Sequence, residues 1–144
     1  VAAHDSGRVA WKESFSVGDT LIDAQHRAFL IDLDAVMDAV EGGAPREAVL
    51  TFYGQFLADL STHFHDEENL LQRAGFPCLQ DHIDEHKALL SSVTAIESLL
   101  VTCEAVAELH YVVRSLFSSL VEHMISEDMR YRGWLRRHNP NNSR

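Results

Sequence analysis

Cysteine is almost absent from this sequence: Cys78 and Cys103 are the only two in 144 residues. That excludes a disulfide framework and a cysteine-built zinc site. Basic residues are scarce, 12 against 22 acidic, for a formal net charge of −10. Nonspecific binding to nucleic acid or to an anionic membrane draws its affinity from cationic surface, so neither partner is expected. Long apolar runs are missing as well. Leu99-Leu100-Val101 is among the longest, far short of the roughly 18 residues of a membrane span. The stretch from Val1 to Val9 lacks the apolar core of a secretory leader, and a cytoplasmic location is expected.

Proline and glycine number only three and seven, and they punctuate the chain instead of filling it. Gly42-Gly43 closes one segment, Pro45 suits the first turn of the next, and Gly75 with Pro77 closes that one. Thr102 reads as the N-cap of a last segment, with Glu104 in its first turn. Four helices follow, over 19–41, 46–74, 79–100 and 103–131. The length suits one domain, 1–144, with its core over about 11–135. The ends, 1–10 and 137–144, read as loose tails.

Each segment carries an apolar seam at spacings of three and four. The seams run through Ile22, Phe29, Leu33 and Val36; Val49, Tyr53, Phe56, Leu60 and Leu70; Leu79, Leu89, Val93 and Ile96; and Val106, Leu109, Val113, Leu116 and Leu120. Such seams joined by short connections predict an all-α, up-down-up-down antiparallel four-helix bundle.

What the chain has in abundance is histidine, nine in all. Five of them, His26, His63, His82, His86 and His123, fall on the seams in phase with the apolar residues, and Glu67 joins them. A lone core histidine is ordinarily satisfied by a carbonyl or a carboxylate. A buried cluster of five demands mutual pairing or a metal, because unpaired ionisable groups cost several kcal/mol each. The spacing favours metal. His82 and His86, like His63 and Glu67, are four apart, so their side chains converge from one helical face. Imidazoles with carboxylates suit zinc, copper, nickel or iron better than calcium or magnesium.

The last helix offers a further carboxylate at an irregular spacing. Regular continuation from His123 points to Glu127, whereas Asp128, Tyr131 and Leu135 restart the seam one residue later. A π-bulge inserts one such residue, and the reading preferred here is Asp128 with a bulge, Glu127 being the alternative. His65, His110, His4 and His138 lie off the seams or in the tails, Cys78 reads as a free thiol, and Asp32, Asp34, Asp66 and Asp84 read as solvated faces. Asp23 is a candidate hydrogen-bond partner for a ligand.

These motifs resemble the hemerythrin family. The resemblance rests on Trp11…Val17-Gly18…Ile22-Asp23-x-Gln25-His26, on His63-Phe64-x-x-Glu67-Glu68, on Phe76-Pro77 followed by His82-x-x-x-His86, and on His123-x-x-x-x-Asp128-x-x-Tyr131. It covers about residues 11–135 and departs at none of the ligand positions. It implies a non-heme di-iron centre with an oxo or hydroxo bridge. His82, His86 and His123 would hold one iron and His26 and His63 the other, with Glu67 and Asp128 bridging. The second iron is then one ligand short, and O2 would bind there reversibly as hydroperoxide, its proton supplied by the bridging hydroxide. Leu120 matches a family residue beside the O2 position. Phe64, Phe29 and Met124 are further candidates for that apolar wall, although plain core packing would also place them there.

The resemblance thus implies a binding protein for O2 carriage, storage or sensing, not an enzyme. The alternative is a di-iron oxidase, peroxidase or nitric-oxide-handling protein on the same fold. Carboxylate-rich oxidases use Glu-x-x-His pairs, and none occupies a seam here. The chain starts at Val1 without an initiator methionine. It reads as a small mature protein, with a domain excised from a longer signalling chain as the other possibility, alone or as a homodimer.

Overall fold

The computed structural model describes residues 9–141. Five α-helices run through it: α1 Thr20–Glu41, α2 Arg46–Arg73, α3 Leu79–Thr102, α4 His110–Glu122 and α5 Arg132–His138. A 3₁₀ turn, Val106–Leu109, leads into α4. A π-turn, His123–Glu127, and a 3₁₀ turn, Asp128–Tyr131, carry the same rod on into α5. The rod from Val106 to His138 is the fourth member of a four-helix bundle. α2 packs on α1 and α3, and α4 closes the ring against α3 and α1. No described helix is long and apolar enough to cross a membrane.

The helix ends follow from local chemistry. Asp19 caps α1, its carboxylate accepting from Ile22 N–H at 3.0 Å. α1 ends where Gly43 takes a φ of +71°. Ala44 N–H then reaches back to Ala39 C=O and Gly43 N–H to Val40 C=O, a Schellman closure. α2 ends identically around Gly75, with φ +69°, and Phe76 N–H bonds to Leu71 C=O. The expected breaks at Gly42-Gly43 and at Gly75 are therefore where the chain turns.

Two expectations need correction. Thr102 is not the N-cap of the last helix but the last residue of α3, its hydroxyl bonded to Ser98 C=O. The Arg46 guanidinium, from the start of α2, takes up the carbonyls of Leu100 and Cys103. With its final carbonyls satisfied there, α3 ends at this point, and the next turn waits until Val106. The second correction concerns the tails. Of the expected loose ends, 1–8 and 142–144 lie outside the described residues. Val9 packs on the main core. Arg137 and His138 are helical, and Asn139 is buried, its amide donating to Asp19 at 3.0 Å.

The interior is layered along the bundle. The larger apolar cluster includes Phe29, Leu33, Tyr53, Phe56, Leu60, Val93, Leu116 and Leu120. A smaller one contains Val17, Ile22, Leu70, Leu71, Tyr131 and Leu135. Between them every helix places polar side chains: His26 follows Ile22 and precedes Phe29, and His63 and Glu67 lie between Leu60 and Leu70. Likewise His123 and Asp128 lie between Leu120 and Tyr131. A polar layer sealed at both ends by hydrocarbon is a costly arrangement unless its members satisfy one another or a ligand.

Candidate metal centre

All seven side chains singled out from the seams meet in that layer, and none is more than 7% exposed. α1 brings His26, α2 brings His63 and Glu67, α3 brings His82 and His86, and the fourth rod brings His123 and Asp128. The π-turn spans His123–Glu127, which is the one-residue slip expected from the pattern. Asp128 is buried as a result, whereas Glu127 pairs with Arg130 at the surface.

The donors sort themselves into two groups. Glu67, His82, His86, His123 and Asp128 offer atoms within 4.8 Å of one another, and so do His26, His63, Glu67 and Asp128. Both carboxylates belong to both groups, and each divides its oxygens between them. Glu67 Oε1 faces His82 Nε2 at 2.8 Å and His86 Nε2 at 3.0 Å, while Oε2 faces His63 Nε2 at 3.7 Å and His26 Nε2 at 3.8 Å. Asp128 Oδ1 lies 3.0 Å from His123 Nε2 and 3.3 Å from His82 Nε2, and Oδ2 lies 3.1 Å from His26 Nε2. Three histidines thus surround one point and two the other, with a pair of carboxylates spanning both.

Of these short distances that of His82 Nε2 to Glu67 Oε1 is a hydrogen bond, but most are not. His86 Nε2, His123 Nε2 and both oxygens of Asp128 are buried without a partner of acceptable geometry. His26 Nε2 and His63 Nε2 face each other at 3.1 Å. His63 Nδ1–H donates to Gln25 Oε1 at 2.9 Å, and Gln25 spends its own amide hydrogens on Asp66, so the inner nitrogen of neutral His63 carries a lone pair. Lone pairs converging on shared points, with their donors turned outward, are what a metal requires of imidazole. The residues fit a pair of transition-metal ions.

The electrostatics agree. Burial pushes His63 down to about 4, keeping it neutral. Burial also opposes charge on His82 and His123, but the negative charge of Asp128 and Glu67 beside them outweighs it, carrying them up to about 10 and about 9. Burial would likewise raise Glu67 and Asp128, yet the surrounding histidines hold both below the usual carboxylate range. The layer calls for positive charge, which protons supply here and metal ions supply equally well.

Around this set lie side chains whose part the sequence reading missed. His86 Nδ1–H donates to Glu68 at 2.7 Å and His123 Nδ1–H to Glu85 at 2.6 Å. The Tyr131 hydroxyl, fully buried, donates to Glu67 Oε2. Gln25, Glu68 and Glu85 each adjoin a seam histidine or Glu67 in sequence, a signal that polar neighbours of a seam ligand can reach round behind another. Asp23, expected behind a ligand, instead holds the Ser16 hydroxyl and Val17 N–H of the entering chain.

Leu120, Phe64, Phe29 and Met124 do share one wall. With Leu60 they line a small cavity that His26, His63, His123 and Asp128 also face. Phe64 additionally stacks on His86, centroids 3.8 Å apart. Among the remaining histidines, His65 is exposed and bonded to Asn69, His138 stacks on Trp134, His110 bonds a backbone carbonyl, and His4 lies outside the described residues. Cys78 is an exposed free thiol. Asp32, expected on a solvated face, is instead half-buried against Asp59.

Comparison with known proteins points the same way. The family model for the hemerythrin HHE cation binding domain matches residues 17–139. A bacteriohemerythrin of Ralstonia nicotianae is 34% identical over 83 residues, a match covering 58% of this chain and only 57% of that protein. A bacteriohemerythrin of Stenotrophomonas maltophilia is 23% identical over 131 residues, covering 90% of this chain and 83% of that one. The family model spans all seven convergent donors and nearly the whole bundle, and the chain is a member of the hemerythrin family.

Proposed function

We propose that this protein binds dioxygen reversibly at a di-iron centre, for carriage, storage or sensing. The observation that carries the reading is the unequal division of donors about two shared carboxylates, beside an apolar cavity. His82, His86 and His123 would hold one iron and His26 and His63 the other, with Glu67 and Asp128 serving both. Two irons bound in this way supply the electrons and the open coordination position that a diatomic ligand needs.

The rest is the work of the chain. Nitrogen outnumbers carboxylate in the donor set, which leaves the centre less anionic than carboxylate-rich oxidase sites. The open position would fall to the two-histidine side, both of whose rings, with His123 and Asp128, face the cavity. Phe29, Leu60, Phe64, Leu120 and Met124 admit a small apolar gas there and exclude ordered water and reductants, limiting irreversible oxidation. Tyr131 holds Glu67 from the far side.

The test is to prepare the reduced protein anaerobically, measure its iron, and record optical spectra on adding and then removing O2. About two irons per chain and a charge-transfer band that comes and goes with O2 are expected. Zinc as the sole metal, or O2 consumption with sustained turnover, would overturn the reading, the latter in favour of a di-iron oxidase or peroxidase.

A further inference from the structure

The histidines behind the two metal positions are not backed alike. On the three-histidine side, two of the rings donate Nδ1–H to carboxylates: His86 to Glu68 at 2.7 Å and His123 to Glu85 at 2.6 Å. On the two-histidine side, His63 donates to the neutral amide oxygen of Gln25 at 2.9 Å, and His26 Nδ1 is buried with no partner. Behind His63 the carboxylate of Asp66 is one step further out, accepting from Gln25 Nε2 at 2.8 Å, and Asp23 reaches His26 by its charge alone, its oxygens being bonded to Ser16 and Val17.

A carboxylate that shares the outer proton of an imidazole gives the ring imidazolate character and strengthens its inner nitrogen as a donor. A neutral amide does so far less. Glu68 and Glu85 also place negative charge in direct hydrogen-bond contact with rings of one position, which neither ring of the other has. We propose that Glu68, Glu85 and Gln25 are positioning residues that make the two metal positions unequal in strength. The three-histidine position fills first and empties last, and the two-histidine position, both of whose rings face the apolar cavity, is the labile one. This rests on the dinuclear reading above, and it adds that the inequality is set from behind the ligands as well as by their number.

The consequence is readable with Co2+ alone, which binds imidazole and carboxylate without redox change. Titrated into metal-free protein, Co2+ should bind in two resolved steps. Nuclear magnetic resonance identifies the position filled, because the protected Nδ1–H protons of His86 and His123 should be paramagnetically shifted by the first equivalent and that of His63 by the second. Glu68→Gln with Glu85→Gln keeps the shape and an acceptor oxygen but removes the charge, and should weaken the first step by about 10- to 100-fold. Gln25→Glu with Asp66→Asn moves a charge behind His63 and should tighten the second step. A misfolded variant cannot mimic that gain, so the second pair decides should the first fail to fold. An unchanged first step in the folded Gln pair, no gain in the Glu–Asn pair, or a His63 signal shifting first would each overturn the inference. Two equal steps in the unaltered protein would sink it while leaving the dinuclear reading standing, whereas no Co2+ binding at all would sink both.

Discussion

His123 and Asp128, five residues apart, converge on one point: Nε2 of the first lies 3.0 Å from Oδ1 of the second. On a regular helix they would diverge by about 140°, and the π-turn over His123–Glu127 removes that divergence. Deleting the exposed Ser126 takes out the extra residue, so a regular helix should keep Asp128 and Tyr131, then four and seven residues after His123, facing the site. Metal content should then stay close to that of the parent, whereas one alanine inserted after Ser126 should turn Asp128 by about 100° and lower it. Asp128→Asn should also lose metal and Glu127→Gln should not. Loss of metal in the folded deletion variant would contradict this reading of the bulge.

Tyr131 donates its hydroxyl to Glu67 Oε2 in a layer without water access. Tyr131→Phe leaves that oxygen unsatisfied, at a cost of about 1–3 kcal/mol in the metal-free protein. A metal would take the same oxygen, so the loss should shrink on loading. Thermal unfolding with and without metal checks this, and equal losses would contradict it.

Loading itself should stabilise the fold, since the unfolded chain offers no assembled site. At a free metal concentration 100 times Kd the gain is about 2.7 kcal/mol per site, and chelation should lower the melting temperature accordingly. His86→Ala should reduce metal content, and His65→Ala, altering an exposed ring bonded to Asn69, should leave it unchanged. Equal loss in the two variants would refute the placement of donors.

Asp32 provides the pH dependence. Burial, then hydrogen bonding to Asp59 and its charge, raises Asp32 to about 6. Folding therefore favours the protonated form, and this contribution is complete below the unfolded value of about 3.9 and is lost as pH rises through about 6. Asp32→Asn should consequently stabilise the metal-free protein at pH 7.5, and its advantage should vanish toward pH 4. Asp32 is only half-buried, so solvent screening limits the gain to on the order of 1 kcal/mol. A pH-independent difference in melting temperature would contradict the pairing.

The bundle and its donors were legible because burial imposes a period, and a polar residue in phase with apolar neighbours stands out. Even the bulge was legible, since Asp128, Tyr131 and Leu135 resume the period one residue late. Features made by distant contacts were not. Thr102 has the chemistry of a cap, but the Arg46 guanidinium, more than fifty residues earlier, ends α3 beside it. Gln25, Glu68 and Glu85 stand off the seam, where adjacency to a ligand is a signal but the ring each one reaches, on another helix, is not written locally. The run Asn139-Pro140-Asn141-Asn142 reads as loose chain because nothing local announces Asp19.

That last contact changes the topology of the whole. Asp19 accepts from Asn139 and Asn141 at 3.0 and 3.2 Å, 120 and 122 residues further along. The linear chain of helices is thereby closed into a near ring. A ring presents no free helix end from which unravelling begins, and Tyr131 sits just inside the clasp. Load applied between Asp19 and Asn141 would fall first on one carboxylate and two amides, before it reached the polar layer they guard.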